Sequence, residues 1–474
     1  MLTVAIIGAG FGGLCMAIQL EKAGIGTYTV FEKADNVGGT WRDNTYPGAG
    51  CDIPSHLYSF SFERYGNWTR RYPGQQEILT YLEHCAAKNR INVRLNTEVT
   101  ALAYENGRWR VSTADGDEFF DIVVSAVGQL NRPKFPDIPG RFDGPVFHSA
   151  RWDHSADLTK NVAVIGTGSS AAQLIPPLAH MARHLDVFQR TPNWVIPKPD
   201  AEFGPLMRQA FHYLPFLQRG YREWLYRYGE GALFPALVGG WSTNLLRRRA
   251  LAHLAAQIPD PELRARLTPD YPVGCKRIVI DSRFYPALAR ANVSVVGAPI
   301  ARLVPYGVET TDGRVHATDA IVYATGFQTT EFLMPMRVTG RDGHDLHEEW
   351  KSGAEAYLGI AVPHFPNLFL LYGPNTNLGH NSIVFMIECQ VRYIMGCLRL
   401  IRQRGTMEVS GGAMTAWRNA LDRALGRTVW RGDCRSWYKT ADGRVTNNWP
   451  RPTTVYQRLT RAPKPEAYTF GGMF

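Results

Sequence analysis

The chain has 474 residues, 45% of them apolar and 20% charged, the composition of a soluble globular protein with room for two or three domains of roughly 150 residues each. Its 45 Gly and 30 Pro follow no period, which excludes collagen, coiled-coil, solenoid and disordered classes. Lys plus Arg exceed Asp plus Glu by 10, and the longest basic run, Arg247-Arg248-Arg249, sits in an apolar-periodic stretch; small polyanions account for that excess better than nucleic acid does.

Leu2 to Leu20 is uncharged and long enough to suggest a membrane span. It carries Gly8, Gly10, Gly12 and Gly13 and lacks a basic flank, so a tight turn in a soluble fold is expected. Thr3–Ile7 reads as a strand and Gly13–Ala23 as a helix with Leu14, Ala17, Ile18 and Leu20 inward. Tyr28–Phe31 is a second strand, ending in Glu32. Segments 92–95, 99–104, 109–113 and 122–127 have β character, with turns at Asn106-Gly107 and Asp115-Gly116. A Pro-rich connector runs from Arg132 to Gly140.

The strand–turn–helix–strand pattern returns at Val162–Ile165, Ala171–Ala182 and Leu185–Phe188. The expected fold class is α/β, with two Rossmann-like dinucleotide-binding domains. From about Pro197 to Pro269 the pattern is helical and rich in aromatic residues and arginine, a helical insert in the second domain. Its Trp224, Tyr226 and Tyr228 are read as core or pocket residues, with contact to a lipid surface as the alternative. Strands are expected at 293–296, 302–305 and 320–324, and a tail from Phe332 shows no boundary of its own.

Seven cysteines (15, 51, 85, 275, 389, 397, 434) form no CxxC pair. That argues for free thiols in a reducing, cytoplasmic setting and against dithiol chemistry or a metal site. Cys51 is expected to serve packing.

Gly8-Ala-Gly10-Phe11-Gly-Gly13 follows the first strand directly. Gly8 suits the tight turn, Gly10 lets backbone approach a pyrophosphate, and Gly13 lets helix pack on strand. Glu32 is placed to accept from ribose hydroxyls. The second loop, Gly166-Thr167-Gly168-Ser169-Ser170-Ala171, has Ala for the third glycine, and Arg190-Thr191 stand where the first unit has its acid. Arginine plus a hydroxyl grips a 2′-phosphate that an acid would repel; the rival reading is a surface arginine at a strand end. Two sites of opposite preference suggest FAD in the first unit and NADPH in the second. Asp319 to Phe327 contains the Ala-Thr-Gly that resembles the closing strand of such domains, and Ser125-Ala-Val-Gly128 looks like a degenerate copy.

Phe142, Gly144, His148, Trp152 and Asp153 fill every fixed position of FxGxxxHxxxW[PD]. Gly38-Gly39-Thr40-Trp41, Tyr46-Pro47-Gly48 and Asp52 form a second motif. Together they resemble the fingerprints of the type I Baeyer–Villiger flavin monooxygenases, and the resemblance runs from Ile6 to the 436–438 region, weakest in the helical insert. It implies the insertion of one oxygen atom from O2 beside a ketone carbonyl, giving an ester or lactone through a C4a-peroxyflavin. It also implies Lys276 on the 2′-phosphate, Arg277 beside the flavin with Asp52 holding it, and Tyr58 and Val99 among the FAD contacts. The His148 segment lies between the two units, where it can couple their movements; the rival reading is a packed linker with His148 satisfied by backbone, and neither implies a direct proton-transfer role. The chain departs from some relatives at Gly50, where they carry a larger residue. Loop 373–381 is read as a flavin-side loop or an ordinary turn.

The implied division is a first FAD-binding part (1–140), a fingerprint linker (141–153), a first NADP-binding part (154–197), the insert (198–271), and second NADP (272–331) and FAD (332–474) parts. A hydrophobic ketone and O2 are the expected partners, with neither nucleic acid nor an integral membrane segment. A flavin N- or S-oxygenase and a non-catalytic flavoprotein are the alternatives.

Overall fold

Two apolar strand–glycine–helix runs nucleate two parallel sheets. The computed structural model describes residues 1–432, 434 and 436–472. Its first elements are β1 (Thr3–Ile7), α1 (Phe11–Ala23), β2 (Thr27–Phe31), α2 (Thr40–Asp43), α3 (Gln75–Lys88) and β3 (Val93–Arg94). Then come β4 (Ala101–Glu105), β5 (Arg108–Thr113), β6 (Gly116–Phe120), β7 (Ile122–Ser125) and β8 (Val146–His148). The second unit starts with β9 (Asn161–Ile165), α4 (Ser169–Met181), β10 (His184–Phe188) and β11 (Val195–Ile196). The insert holds α5 (Pro205–Tyr213), α6 (Pro215–Tyr228), α7 (Phe234–Leu237), α8 (Thr243–Gln257) and α9 (Pro261–Arg266). After it lie β12 (Val279–Ile280), α10 (Phe284–Leu288), β13 (Val293–Val296), β14 (Ile300–Val304), β15 (Gly307–Thr310), β16 (Val315–Ala317) and β17 (Ala320–Tyr323). The tail contributes β18 (Arg337–Thr339), α11 (Leu346–Glu349), β19 (Leu368–Leu370) and α12 (Ile383–Arg404).

The first sheet runs β19-β7-β1-β2-β3 and the second β13-β10-β9-β17-β8, every pair parallel. Parallel sheets are covered on both faces, and β1 accordingly buries Val4, Ala5 and Ile6 completely. Helix α1 is sealed between this sheet and α12, with Leu14, Cys15, Met16, Ala17 and Ile18 all at 0% exposure. The tail's β19 joins the first sheet and its β18 pairs with β4, so the tail folds back onto strands of the first 125 residues. The insert leaves and re-enters the second unit between β11 and β12, which pair in parallel at its neck. Among the described residues no helix is long and apolar enough to cross a membrane.

Several expectations shift. Both nucleotide-loop helices start two residues early, at Phe11 and Ser169, because Gly10 and Gly168 take an extended N-cap conformation. The sequence reading missed β6 and β16, short strands with exposed positions, and β15, a short strand in which Gly307 and Glu309 interrupt the apolar signal. Within the 141–153 segment, β8 pairs with β17, His148 opposite Tyr323, as the edge strand of the second sheet. In the insert, Trp224 and Tyr228 are 52% and 46% exposed, which overturns their assignment to a core or pocket; Tyr226 is half-buried against Phe385.

Candidate active site

The two nucleotide loops share one geometry. Gly8 and Gly166 have φ of +101° and +116°; a Cβ there would lie 2.7 Å from the Ala126 oxygen and 2.5 Å from the Ala324 oxygen. Those alanines belong to the two related strand ends, so the degenerate copy at 125–128 plays the same structural part as 324–326. A Cβ on Gly13 would fall 1.8 Å from the Gly8 oxygen, so α1 meets β1 at a distance only glycine permits. Gly10 and Gly39 face each other as bare backbone, a Cβ on Gly39 coming within 3.2 Å of the Gly10 Cα. The N-caps of α1 and α4 carry no side-chain cap bond, which leaves their first N–H groups to an anion.

Glu32 is buried at the end of β2. Its carboxylate accepts from the Ala9 N–H at 2.9 Å and the Ala34 N–H at 3.1 Å, and pairs with Arg42 at 3.1 Å. Phe11, Trp41 and Tyr58 form an edge-to-face aromatic wall, with the Trp41 indole donating to the Tyr58 hydroxyl at 3.2 Å. Thr40 donates to the Leu130 carbonyl.

After β10 the chain supplies a basic edge. Lys276 Nζ donates to Thr191 Oγ1 at 2.6 Å and lies 4.4 Å from the Tyr271 ring centre. Burial and then the neighbouring Arg190 push the Lys276 pKa down. Two cations and a hydroxyl gathered this way favour a multiply charged anion between them.

Between the two loops, Arg277 grips Asp52 bidentately: Nη2 to Oδ1 at 2.7 Å and to Oδ2 at 2.6 Å, Nε to Oδ2 at 3.2 Å. The Asp52 charge raises the arginine pKa further, so the guanidinium stays charged although enclosed. Tyr372 and Tyr438 lie near it; burial raises both phenols, Tyr438 to about 12. Cys51 is buried with its thiol pushed up to about 12, a packing residue as read from the sequence.

All these loops line one cavity of about 2170 Å³. Of the nucleotide residues expected from sequence, Gly8, Gly10, Phe11, Glu32, Gly39, Thr40, Trp41, Asp52, Tyr58, Val99, Gly166, Thr167, Gly168, Ser169, Ser170, Arg190, Thr191, Lys276 and Arg277 all line it. Gly13 does not, because it works behind the loop.

None of Phe142, Gly144, His148, Trp152 and Asp153 lines the cavity. A Cβ on Gly144 would strike the Phe142 ring at 2.6 Å. His148 is buried; its Nδ1 accepts from the Ala150 N–H, and burial pushes its pKa down to about 4. A ring held neutral fits a packing role. Trp152 packs edge-on against Phe147 and reaches Tyr46 of the second motif, while Asp153 caps the turn at Ser155. Tyr46 in turn donates to Gln173 on α4, so the fingerprint reaches the interface of the two units through packing.

Cys275 and Cys434 form a disulfide, contrary to the expectation of free thiols throughout; the other five cysteines are free and buried. It joins the Lys276-Arg277 loop to the segment before Trp437, which also lines the cavity. Loop 373–381 contributes Asn377, Leu378 and Asn381 to the wall. Residues that the sequence did not mark are Gln129, Asn193 and Tyr372. Gln129 donates to the Tyr372 carbonyl and accepts from Asn447, and Asn193 ties the second loop by donating to the Thr167 carbonyl. Away from the cavity, His344, Glu349 and His364 bring donor atoms within 4.8 Å of one another.

A family model described as pyridine nucleotide-disulphide oxidoreductase matches residues 5–215. The chain is 43% identical over 477 residues to a Baeyer–Villiger monooxygenase of Pseudomonas aeruginosa, covering 98% of this chain and 90% of that protein. It is also 43% identical over 469 residues to a Baeyer–Villiger monooxygenase of Streptomyces coelicolor, covering 97% and 90%. A crystal structure of OTEMO in complex with FAD and NADP superposes with a TM-score of 0.88 at 26% identity over 99% of both chains. Identity of that extent, on a frame of two nucleotide loops sharing one cavity, places the chain in the Baeyer–Villiger flavin monooxygenases, FAD- and NADPH-dependent enzymes.

Proposed function

We propose that FAD lies along Gly8–Gly13 and Glu32, NADPH along Gly166–Ala171, and that Arg277 and Asp52 stand where the two meet. The fit of the first group rests on the bare Gly10–Gly39 corridor and the open N-terminus of α1. The fit of the second rests on Arg190, Thr191 and Lys276. Bound there, the flavin would supply hydride acceptance from NADPH and activation of dioxygen, chemistry the side chains alone cannot supply.

The protein's part is charge and position. Arg277 presents a fixed cation where negative charge develops, and Asp52 sets the plane of its guanidinium. Phe11, Trp41 and Tyr58 exclude water from the first loop. The bidentate Arg277–Asp52 pair on the wall shared by both loops is the observation that carries this reading. The substrate is a hydrophobic ketone, converted to an ester or lactone, and the chain divides as 1–140 and 332–474 for FAD against 154–197 and 272–331 for NADP, with 141–153 between them and 198–271 inserted. The five free thiols support a cytoplasmic setting, and the disulfide stands against it.

Product analysis over ketones, sulfides and amines with NADPH tests the reading. Ester or lactone from ketones is expected. Sulfoxide or N-oxide alone would move the enzyme to the N- or S-oxygenases.

A further inference from the structure

In the α5–α6 hairpin Phe211 packs inward against His56, but α6 turns one polar stripe inward and one aromatic stripe outward. On α6, Gln218 is buried and donates to the Tyr65 carbonyl at 2.9 Å. Arg222 reaches the carbonyls of His56 at 2.7 Å and Ser59 at 2.9 Å. The opposite stripe, at four-residue spacing, is Phe216, Gly220, Trp224 and Tyr228, all exposed. Trp224 stacks with Tyr221 and Tyr228, each at 6.0 Å, so the face is ordered. Leu206, Met207, Tyr213, Leu214 and Leu217 are exposed beside it.

Residues 205–258 therefore hold 10 of the 19 exposed large apolar side chains among the described residues. The same stretch carries seven arginines against two glutamates, half of the chain's +10. Both glutamates are engaged, Glu223 by Arg227 at 2.7 Å and Glu230 by His380 at 3.0 Å. Arg208, Arg219, Arg247, Arg248 and Arg249 are exposed. A helix that satisfies its polar groups inside and shows tryptophan and tyrosine outside is built for an environment that is apolar at its boundary and wet above.

We propose that this face seats the enzyme on an anionic lipid surface, with the α5–α6 aromatic stripe in the headgroup region and the insert's arginines on lipid phosphates. Charge selects the occupant: a second copy would bring two strongly basic inserts together, whereas anionic phosphates complement them. Among the described residues no helix is long and apolar enough to cross a membrane, and the proposed contact is peripheral. The hairpin also adjoins the cavity wall, since Asn381, which lines the cavity, donates to the Tyr226 carbonyl and to Glu230. Delivery of a membrane-dissolved ketone across that short distance rests on the ketone reading above; the lipid contact itself does not.

The test is co-sedimentation of the FAD-loaded full chain with phosphatidylcholine vesicles, with and without phosphatidylglycerol, at physiological salt. Binding to the mixed vesicles is expected, with weak binding to the neutral ones. F216S/W224S, both exposed and outside the site, should keep flavin content and melting temperature while its partition coefficient falls by about tenfold or more. R208Q/R219Q/R247Q/R248Q should lose only the preference for anionic lipid. Equal binding to both vesicle types, no binding, or full binding by F216S/W224S would overturn the proposal. So would a dimer in solution that F216S/W224S dissociates without any vesicle binding, because a second copy would then cover the face.

Discussion

The two nucleotide units are built on one frame and finished in opposite ways. Gly8 and Gly166 turn against matching alanine carbonyls, and both helices start uncapped. The first unit then closes tightly, with Gly13 against its strand and Glu32 buried among two N–H groups and Arg42. The second tolerates Ala171 and opens onto Arg190, Thr191 and a lysine brought from 85 residues away. On the proposed reading, the shared part would take a pyrophosphate and the part that differs would separate a ribose hydroxyl from a ribose phosphate. That reading puts specificity after the second strand of each unit.

Exchanging the third small residue breaks the comparison most severely. Gly13→Ala would force a methyl to 1.8 Å from a carbonyl oxygen, and loss of flavin together with loss of soluble protein is expected. The mirror change, Ala171→Gly, should cost only about 0.5–1 kcal/mol of helix stability, measured by denaturant melts with flavin fluorescence as a second probe. Retained flavin in Gly13→Ala would show that the first unit is no tighter than the second.

Next in size is the junction. Arg277→Ala should bind FAD and still be bleached by NADPH, while ester formation falls by about 10²–10³. Arg277→Lys should recover only part, because an ammonium cannot reproduce the fork on Asp52. Stopped-flow absorbance and product yield separate the two effects; near-normal ester yield from Arg277→Ala would remove it from the chemistry.

Arg190→Ala sharpens the contrast at the second strand's end. A charge-assisted bond contributes roughly 1.5–3 kcal/mol, so the KM for NADPH should rise about 10- to 150-fold while that for NADH stays nearly unchanged. Equal rises would mean that Arg190 holds the chain and not the phosphate.

The effect that vanishes at neutral pH comes last and concerns two buried histidines. His148 on the second sheet and His56, packed against Phe203, Phe211 and Tyr221, are pushed down to about 4 and about 3 by burial. Unfolded histidine titrates near 6.5. Below that value the unfolded chain takes up protons that the folded chain refuses, so stability falls as the pH drops from 6.5 towards 4; above 6.5 these groups contribute no slope. His148→Asn should flatten that stretch of a urea-midpoint profile taken between pH 4 and 7.

What the sequence made legible was whatever the backbone alone demands. Gly8, Gly13 and Gly166 sit where a Cβ meets a carbonyl, so residue type and spacing carried the information. The fingerprint at Phe142–Asp153 pointed to the family, while its letters could not show that Gly144 and Trp152 sit in packing contacts and that Asp153 caps a turn, away from the cavity lining. Pairings that span the chain were hidden: Gln129 with Asn447 and Cys275 with Cys434 arise only when the tail folds back onto the first sheet. In α6 the periodicity showed two faces but could not say which one met solvent, because Gln218 and Arg222 find backbone carbonyls inside.

The Cys275–Cys434 bond encloses a sequence separation of 159 residues, including β18, β19 and the loop around Asn377. Closing a ring of that size removes conformational freedom from the unfolded chain worth on the order of 5 kcal/mol. It also changes what a protease can accomplish. A single cut within the ring yields two polypeptides that migrate together until a reductant is added, so the Lys276-Arg277 loop and the Trp437 segment remain one covalent body after the chain between them is severed.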